Sequence, residues 1–343
     1  MTEPLVSVLI DTYNYGHFIG EAIDSVLGQD FPMERVEIVV VDDGSTDGTR
    51  ELVQRKYGSK VRYVYKGNGG QASAFNAGFA EMRGEIVAFL DADDWWAEGK
   101  LKRVVDALEA NPEIAAVGHG YYKFREDTQE ASACLPGTSG TLSIATPKGM
   151  GAALTAWGFL VTSALTVRRK VIEWIRPLPE EMVFMADTAV QAAGILMGAM
   201  ILDEPLLYYR HHSQNLYVVD GENREKLRRR YEMTELVYRR VYEMLVARRV
   251  ARETVGDLIV PNWVAVSRSR LRTFGGTPLE TFQTEMRAFQ VDFKKPSFAY
   301  RLFKYGVTGA PMLLLPPRVF YRMRDWYAKE NLGRLRDRLV KPT

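Results

Sequence analysis

Four short apolar runs, Val6 to Ile10, Val36 to Val41, Val61 to Tyr65 and Ile86 to Leu90, alternate with three amphipathic stretches across the first hundred residues. No other feature of the chain restricts its fold as much. Each run is short and rich in Val and Ile, so it reads as a buried strand, while His17 to Leu27, Asp47 to Tyr57 and Gln71 to Met82 carry the helical period. Ser45 and Asp47 offer N-capping oxygens to the second helix, and Gly28 and Gly84 follow the first and third as terminators. Strand and helix in alternation predict an α/β fold, a Rossmann-like and mostly parallel central sheet covered by helices.

In an open sheet of this kind ligands bind beyond the carboxyl ends of the strands. Polar residues gather at those ends here: Asp11 to Asn14, Asp42 to Ser45 and Asp91 to Asp94 each follow a strand. The densest group is Leu90-Asp91-Ala92-Asp93-Asp94. Carboxylates at the end of a buried run repel one another unless a hard cation sits between them, and such a cation would attract a diphosphate. Two other readings stay open, a cap for the following helix and a solvated turn. Asp42 is placed to accept from a base N–H, with Gly44 allowing the chain to turn sharply after it; a plain strand-to-helix turn is the other reading.

Length and composition set the bounds. The 343 residues allow two domains, or one with an appendage, and 46% hydrophobic with 26% charged residues is ordinary for a folded chain. The single Cys134 and four scattered histidines exclude a disulfide framework and the usual structural zinc sites. Residues 1 to 10 lack a basic start, which predicts no secretory leader and a cytoplasmic location. Gly149 to Val167 carries no charge, yet its glycines, threonines and serines predict a buried or cleft-lining segment rather than a membrane span.

Beyond residue 97 a helix is expected over Glu98 to Glu109, a strand over Ile114 to Gly118, and loop or short strands over Lys123 to Gly151, forming an acceptor-facing flap. Regular structure resumes at Ile172 to Arg176, Asp187 to Met197 and Met200 to Leu202. After Asn215, Leu227, Tyr231, Tyr238, Val241 and Leu245 recur at helical spacing, and the last third reads as helical. The predicted organisation is residues 1–215 as one domain, with a nucleotide-binding half over about 1–100 and an acceptor-binding half over about 101–215, followed by a helical region over 216–343.

Five motifs in order resemble glycosyltransferase family 2, whose nucleotide-binding fold is the kind called GT-A. They are Val8-Leu9-Ile10-Asp11-Thr12-Tyr13-Asn14, Ile23-Asp24-Ser25-Val26-Leu27-Gly28-Gln29, the stretch from Val41 to Thr49, the stretch from Asn68 to Gly78, and Phe89-Leu90-Asp91-Ala92-Asp93-Asp94. The resemblance covers about residues 5 to 215. It implies that Asp11, Thr12 and Tyr13 line the nucleotide pocket, with Tyr13 stacking on the base, and that Asp42 bonds a uracil-type edge. Asp43, Gly70, Gln71 and Ala92 join that donor-binding set, Asp91 reaches the ribose or sugar, and Asp93 holds the metal with Asp91 beside it. Asp187 stands where the family has a catalytic base, although Ala186 replaces the usual glutamate before it. The run Tyr208 to Asn215 resembles a loop that closes over the diphosphate, where His212 touches phosphate or metal; a surface histidine pair is the other reading.

Two further departures bear on donor binding. Asp11 stands where the family often has proline, and Phe75 where it commonly has a nucleotide-binding arginine, leaving Lys66, Gln71 or Arg210 to replace that contact. The implied activity is inverting transfer of one sugar from a nucleotide diphosphate sugar, most often a uridine one, to an acceptor hydroxyl on a glycan or lipid-linked carrier in cell-surface glycan synthesis. The implied cofactor is Mn2+ or Mg2+. The absence of a Gln-x-x-Arg-Trp sequence favours single addition over polymer synthesis. The rivals are a sugar nucleotidyltransferase and a degenerate sugar-binding module; residues 11 to 16 lack the glycine-rich loop that the former, or a dinucleotide oxidoreductase, would require.

Charge is uneven. From Arg301 onward ten Lys or Arg face three Asp or Glu, although the whole chain is only +2. Tyr305, Leu313 to Leu315, Val319, Phe320, Trp326 and Tyr327 interleave there with Arg318, Arg322 and Arg324. That mixture suits the inner face of a membrane near a lipid-linked glycan; packing onto the preceding domain or a homo-oligomer contact would use the same residues. Nucleic acid is not an expected partner.

Overall fold

The computed structural model describes residues 4–137, 139–142, 161–212, 215, 223–292, 309 and 311–329. It divides into two compact units, Met1–Val218 and Val219–Thr343.

The first unit is an α/β sheet of ten strands. The first four strands are β1 (Val6–Thr12), β2 (Val36–Asp42), β3 (Arg62–Tyr65) and β4 (Ile86–Asp91). They lie in the order β3-β2-β1-β4, all parallel, as the alternation predicts. Between them run α1 (Ile19–Leu27), α2 (Thr49–Tyr57) and α3 (Gln71–Glu81), and α4 (Lys100–Ala110) follows. Val8, Ile10, Val40, Ala88 and Leu90 bury one face of the sheet in a single cluster with Ile19, Ile23, Val53, Leu101 and Val104 of the helices. Each such side chain contributes ~1.5–3 kcal/mol of burial. On the other face α3 approaches closely at Gly78, where an added Cβ would lie 2.4 Å from Leu9 Cδ1. Register places Asp11 beside Asp91 and Thr12 beside Asp42, so the polar strand ends are neighbours.

The second half of the sheet departs from the sequence reading. β5 (Trp95–Trp96), β6 (Ala116–Arg125), β7 (Glu130–Cys134), β8 (Gly140–Leu142), β9 (Thr166–Arg168) and β10 (Ala199–His211) complete it, with α5 (Arg169–Ile175) and α6 (Asp187–Leu196) between the last two strands. The strand expected over Ile114 to Gly118 runs on to Arg125, and short strands are present within Lys123 to Gly151 as expected, β7 paired with β6 and β8 with β10; residues 143–151 lie outside the described residues. Tyr208 to His211 is no loop but the end of β10, which pairs with β6 in parallel and with Trp95–Trp96 in antiparallel register. β9 sits antiparallel between β4 and β6. Most of Gly149 to Val167 lies outside the described residues, but Thr162 to Val167 is buried.

The second unit is helical: α7 (Arg224–Ala247), α8 (Arg252–Phe274), α9 (Pro278–Asp292) and α10 (Pro317–Lys329). The periodicity after Asn215 is explained by Val237, Tyr238, Val241 and Leu245, which α7 buries. Glu285, buried on α9, accepts from Arg268 of α8 at 2.6 and 2.8 Å, from Arg324 of α10 at 2.7 Å and from the Tyr321 hydroxyl at 3.1 Å, tying three helices together. Among the described residues no helix is long and apolar enough to cross a membrane.

Candidate active site

The acidic motif is built by the end of β4. Its chain turns back on itself, the Asp94 N–H donating to the Asp91 carbonyl at 3.1 Å, so that Asp91, Asp93 and Asp94 face one region. Each offers a carboxylate oxygen, and these lie within 4.8 Å of one another. Asp94 is committed to the scaffold: it accepts from Ser163 Oγ at 2.6 Å and from the Arg210 N–H at 2.9 Å. Asp93 uses Oδ2 to meet His212 Nε2 and Asn215 Nδ2, both at 3.1 Å, which leaves Oδ1 without a partner among the described residues. Asp91 adjoins Asp11, whose buried Oδ1 has no partner either.

These carboxylates titrate as a crowded group. Burial pushes Asp11 up to about 7, and the charges of Asp93 and Asp187 add to the rise. Asp91 is held well above the ordinary carboxylate range by burial and then by the charges of Asp11, Asp94 and Asp93. Hard oxygens in this number suit Mg2+ or Mn2+, and a cation would relieve the repulsion. The donor set fits such an ion, with Asp91, Asp93 and Asp94 as the groups that could hold it, while His212 Nε2 meets Asp93 Oδ2.

Asp187 begins α6, near enough for its charge to raise Asp11 and Asp91. Its own carboxyl, 8% exposed, is pushed up to about 6 by burial, against an opposing hydrogen bond from Thr162. Gln191 one turn later donates to it at 2.8 Å.

The glycine-glutamine motif turns out to shape this end of the crevice. The Gln71 N–H donates to the Val183 carbonyl at 2.9 Å, and its side-chain Oε1 accepts from the Ala186 N–H at 2.8 Å, directly before Asp187. Gly70 has φ +83, and a Cβ there would lie 2.5 Å from Val183 Cα, so only glycine lets the two segments meet. Asp43 holds the approach to this motif, accepting from Lys66 Nζ at 2.6 Å and from the Gly70 N–H at 2.7 Å.

Other expected donor contacts sit differently. Asp42 is fully enclosed and accepts from the Ser45 N–H at 2.7 Å and from the Tyr63 hydroxyl, so contact with a base requires that hydroxyl to yield. Thr12 is buried with its Oγ1 unpartnered, Ala92 points its methyl into the core, and Tyr13 is 47% exposed at the rim. Phe75 packs against Phe79 and Phe89, which explains an apolar residue at that position. None of its three suggested substitutes is idle. Lys66 serves Asp43 and Gln71 serves Ala186, while Arg210 reaches the Asp93 carbonyl at 2.8 Å, pairs with Glu21 and lies against Phe18 and Trp95. The sequence reading missed Ser163, Thr162, Glu21 and Asn215, which act through partners distant in the chain, and Gln191, which acts on Asp187 one helical turn away.

Comparison with known proteins agrees with this geometry. The family model described as Glycosyl transferase family 2 matches residues 7–174. An uncharacterized glycosyltransferase of Nostoc sp. is 38% identical over 218 residues, 61% of this chain. The chain spans 66% of that protein's length and 20% of two rickettsial relatives that it also matches. Among solved structures, S. aureus TarS 1-349 in complex with UDP shares the fold with a TM-score of 0.56 at 16% identity, over 88% of this chain and 91% of that one. The mannosyltransferase PcManGT from Pyrobaculum calidifontis, in complex with GDP-Man and Mn2+, has a TM-score of 0.50 at 19% identity, over 96% and 89%. With its parallel sheet, its acidic strand ends and these relatives, the chain belongs, through residues 7–174, to glycosyltransferase family 2.

Proposed function

We propose that the chain transfers a single sugar from a nucleotide diphosphate sugar, a uridine one, to an acceptor hydroxyl of a glycan or lipid-linked carrier, inverting the anomeric centre. The observation that carries this reading is that Asp91, Asp93 and Asp94 gather their carboxylates in one place, with Asp187 near enough for its charge to raise Asp91. The transferase is assigned to residues 1–215 and an appended role to 216–343. The ligands of the solved neighbours, UDP in one and GDP-Man with Mn2+ in the other, support the donor class and the metal.

A divalent cation held by Asp93 and Asp91, with His212 beside them, would offset the charge gathering on the diphosphate as it departs. Asp187 takes the proton of the acceptor hydroxyl as that oxygen attacks the anomeric carbon. A carboxyl titrating at about 6 is ionised at neutral pH and is a stronger base than an ordinary aspartate. Thr162 and Gln191 fix its orientation. Attack opposite the departing diphosphate inverts the centre. Asp11 lines the donor pocket, and the exposed Tyr13 ring offers a face to the base.

The test is nucleoside diphosphate release from a panel of uridine sugars, with Mn2+ or with EDTA, joined to anomeric proton NMR of the product. Metal-dependent release and an inverted linkage are expected. Pyrophosphate release from a nucleoside triphosphate would support a nucleotidyltransferase instead, and sugar binding without turnover a degenerate module.

A further inference from the structure

The helical unit holds a cavity of about 200 Å³ between α7, α8 and α9, lined by three glutamates and three arginines that are unequally paired. Three glutamates line it, and each is already paired: Glu232 with Arg228 at 2.9 Å, and Glu235 and Glu280 both with Arg270 at 2.8 Å. Two arginines that line it, Arg239 and Arg287, have no carboxylate partner among the described residues. The charge of Glu235 acts on Arg287, and that of Arg239 acts on it with opposite sign. Arg287 is half-buried, its guanidinium lying over the Trp263 ring at 4.2 Å. The indole thereby fixes the plane of the fork. A second, independent feature is Ser267. It lines the same cavity, is 2% exposed, and its Oγ has no hydrogen-bond partner.

Two unpaired guanidinium groups side by side, one of them half-buried, cost free energy that an anion would recover, as would the unmet hydroxyl. Arginine forks with a hydroxyl donor match the oxygens of a phosphate group. The cavity is smaller than the ~300–1,000 Å³ of drug-sized pockets, so it takes a phosphate with little more than one small substituent rather than a nucleotide. We propose that this cavity is a binding site for a phosphate group, held by Arg239, Arg287 and Ser267. The site does not depend on the glycosyltransferase reading, because every residue in it belongs to the second unit.

Isothermal titration of inorganic phosphate into the full-length protein tests it, in EDTA at constant ionic strength, with chloride as the comparison anion. EDTA leaves the acidic crevice of the first unit bare of cations and so repulsive to phosphate. One saturable site with a Kd of about 1 mM or below is expected. Arg287→Gln should weaken it by about tenfold, the pair Arg239→Gln with Arg287→Gln should abolish it, and Ser267→Ala should weaken it severalfold, all with melting curves like the parent's. A parallel titration with dimethyl phosphate distinguishes a phosphodiester ligand from free phosphate. Heats no larger than those of chloride, or undiminished affinity in the double variant, would overturn the assignment.

Discussion

Replacing Asp187 by asparagine should make the protein more stable and far less active at the same time. Inside the fold the carboxyl titrates at about 6 rather than at its ordinary 3.8, so the folded state binds that proton more tightly than the unfolded chain. The stabilisation that results is full below the unfolded value and is lost as pH rises through 6. At pH 7.5 the ionised group therefore costs ~3 kcal/mol, at ~1.4 kcal/mol for each pH unit. Asparagine has the same shape and can still accept from Gln191, but carries no charge. It also removes the repulsion that Asp187 exerts on Asp11 and Asp91. Thermal melting in EDTA should show Asp187→Asn melting higher at pH 7.5, by roughly 2–4 °C per kcal/mol, with the gain about halved at pH 5 and gone below the ordinary carboxylate value of 3.8. Turnover should fall by on the order of 10²–10⁴, the contribution of a positioned base. A variant no more stable at pH 7.5, or one whose gain is as large at pH 5 as at pH 7.5, would refute the buried-charge argument.

For the parent enzyme, kcat should fall as pH drops through about 6, because Asp187 then holds a proton; a rate flat down to pH 5 would exclude it as the base. Gln71→Ala removes the acceptor for the Ala186 N–H and should lower kcat by about tenfold or more while leaving the donor KM nearly unchanged, since the residue places Asp187 rather than the nucleotide. Gly70→Ala should destabilise the fold outright, read as a lowered melting temperature, because its Cβ meets Val183 backbone at positive φ. If the segment leading into α10 lies on lipid, changing the exposed Leu313 and Leu314, which precede that helix, to serine should reduce flotation with anionic liposomes; equal recovery of parent and variant would remove the membrane role.

The first four strands and their helices were legible because apolar period and turn residues agree there, and the parallel order follows from β1, β2 and β4, which are largely buried on both faces, with β3 at the edge. The acidic motif was legible for a different reason, since three carboxylates at the end of a buried run demand an explanation. What escaped was long-range. Nothing near Gln71 announces that it will meet Ala186, or near Arg210 that it will reach Glu21 and Asp93. β10 was read as a short strand followed by a loop because Pro205 and the polar residues near it interrupt the period, and the structure absorbs them as register shifts against β6. Asp42 and Asp43 were legible as polar strand-end residues, but the bonds they make within the fold were not. Their motif marks them as ligand contacts, yet their oxygens are largely spent on Ser45, Tyr63, Lys66 and the Gly69–Gly70 backbone.

The most direct measurement is donor turnover and Mn2+ affinity of the Asp93→Ala variant beside the parent. Asp93 offers an oxygen to the acidic cluster and little to the scaffold beyond His212 and Asn215, so its loss should leave the fold intact. Mn2+ binding should weaken by at least about tenfold and transfer should fall to background. Transfer at the parent's rate, with Mn2+ bound as tightly, would contradict the account.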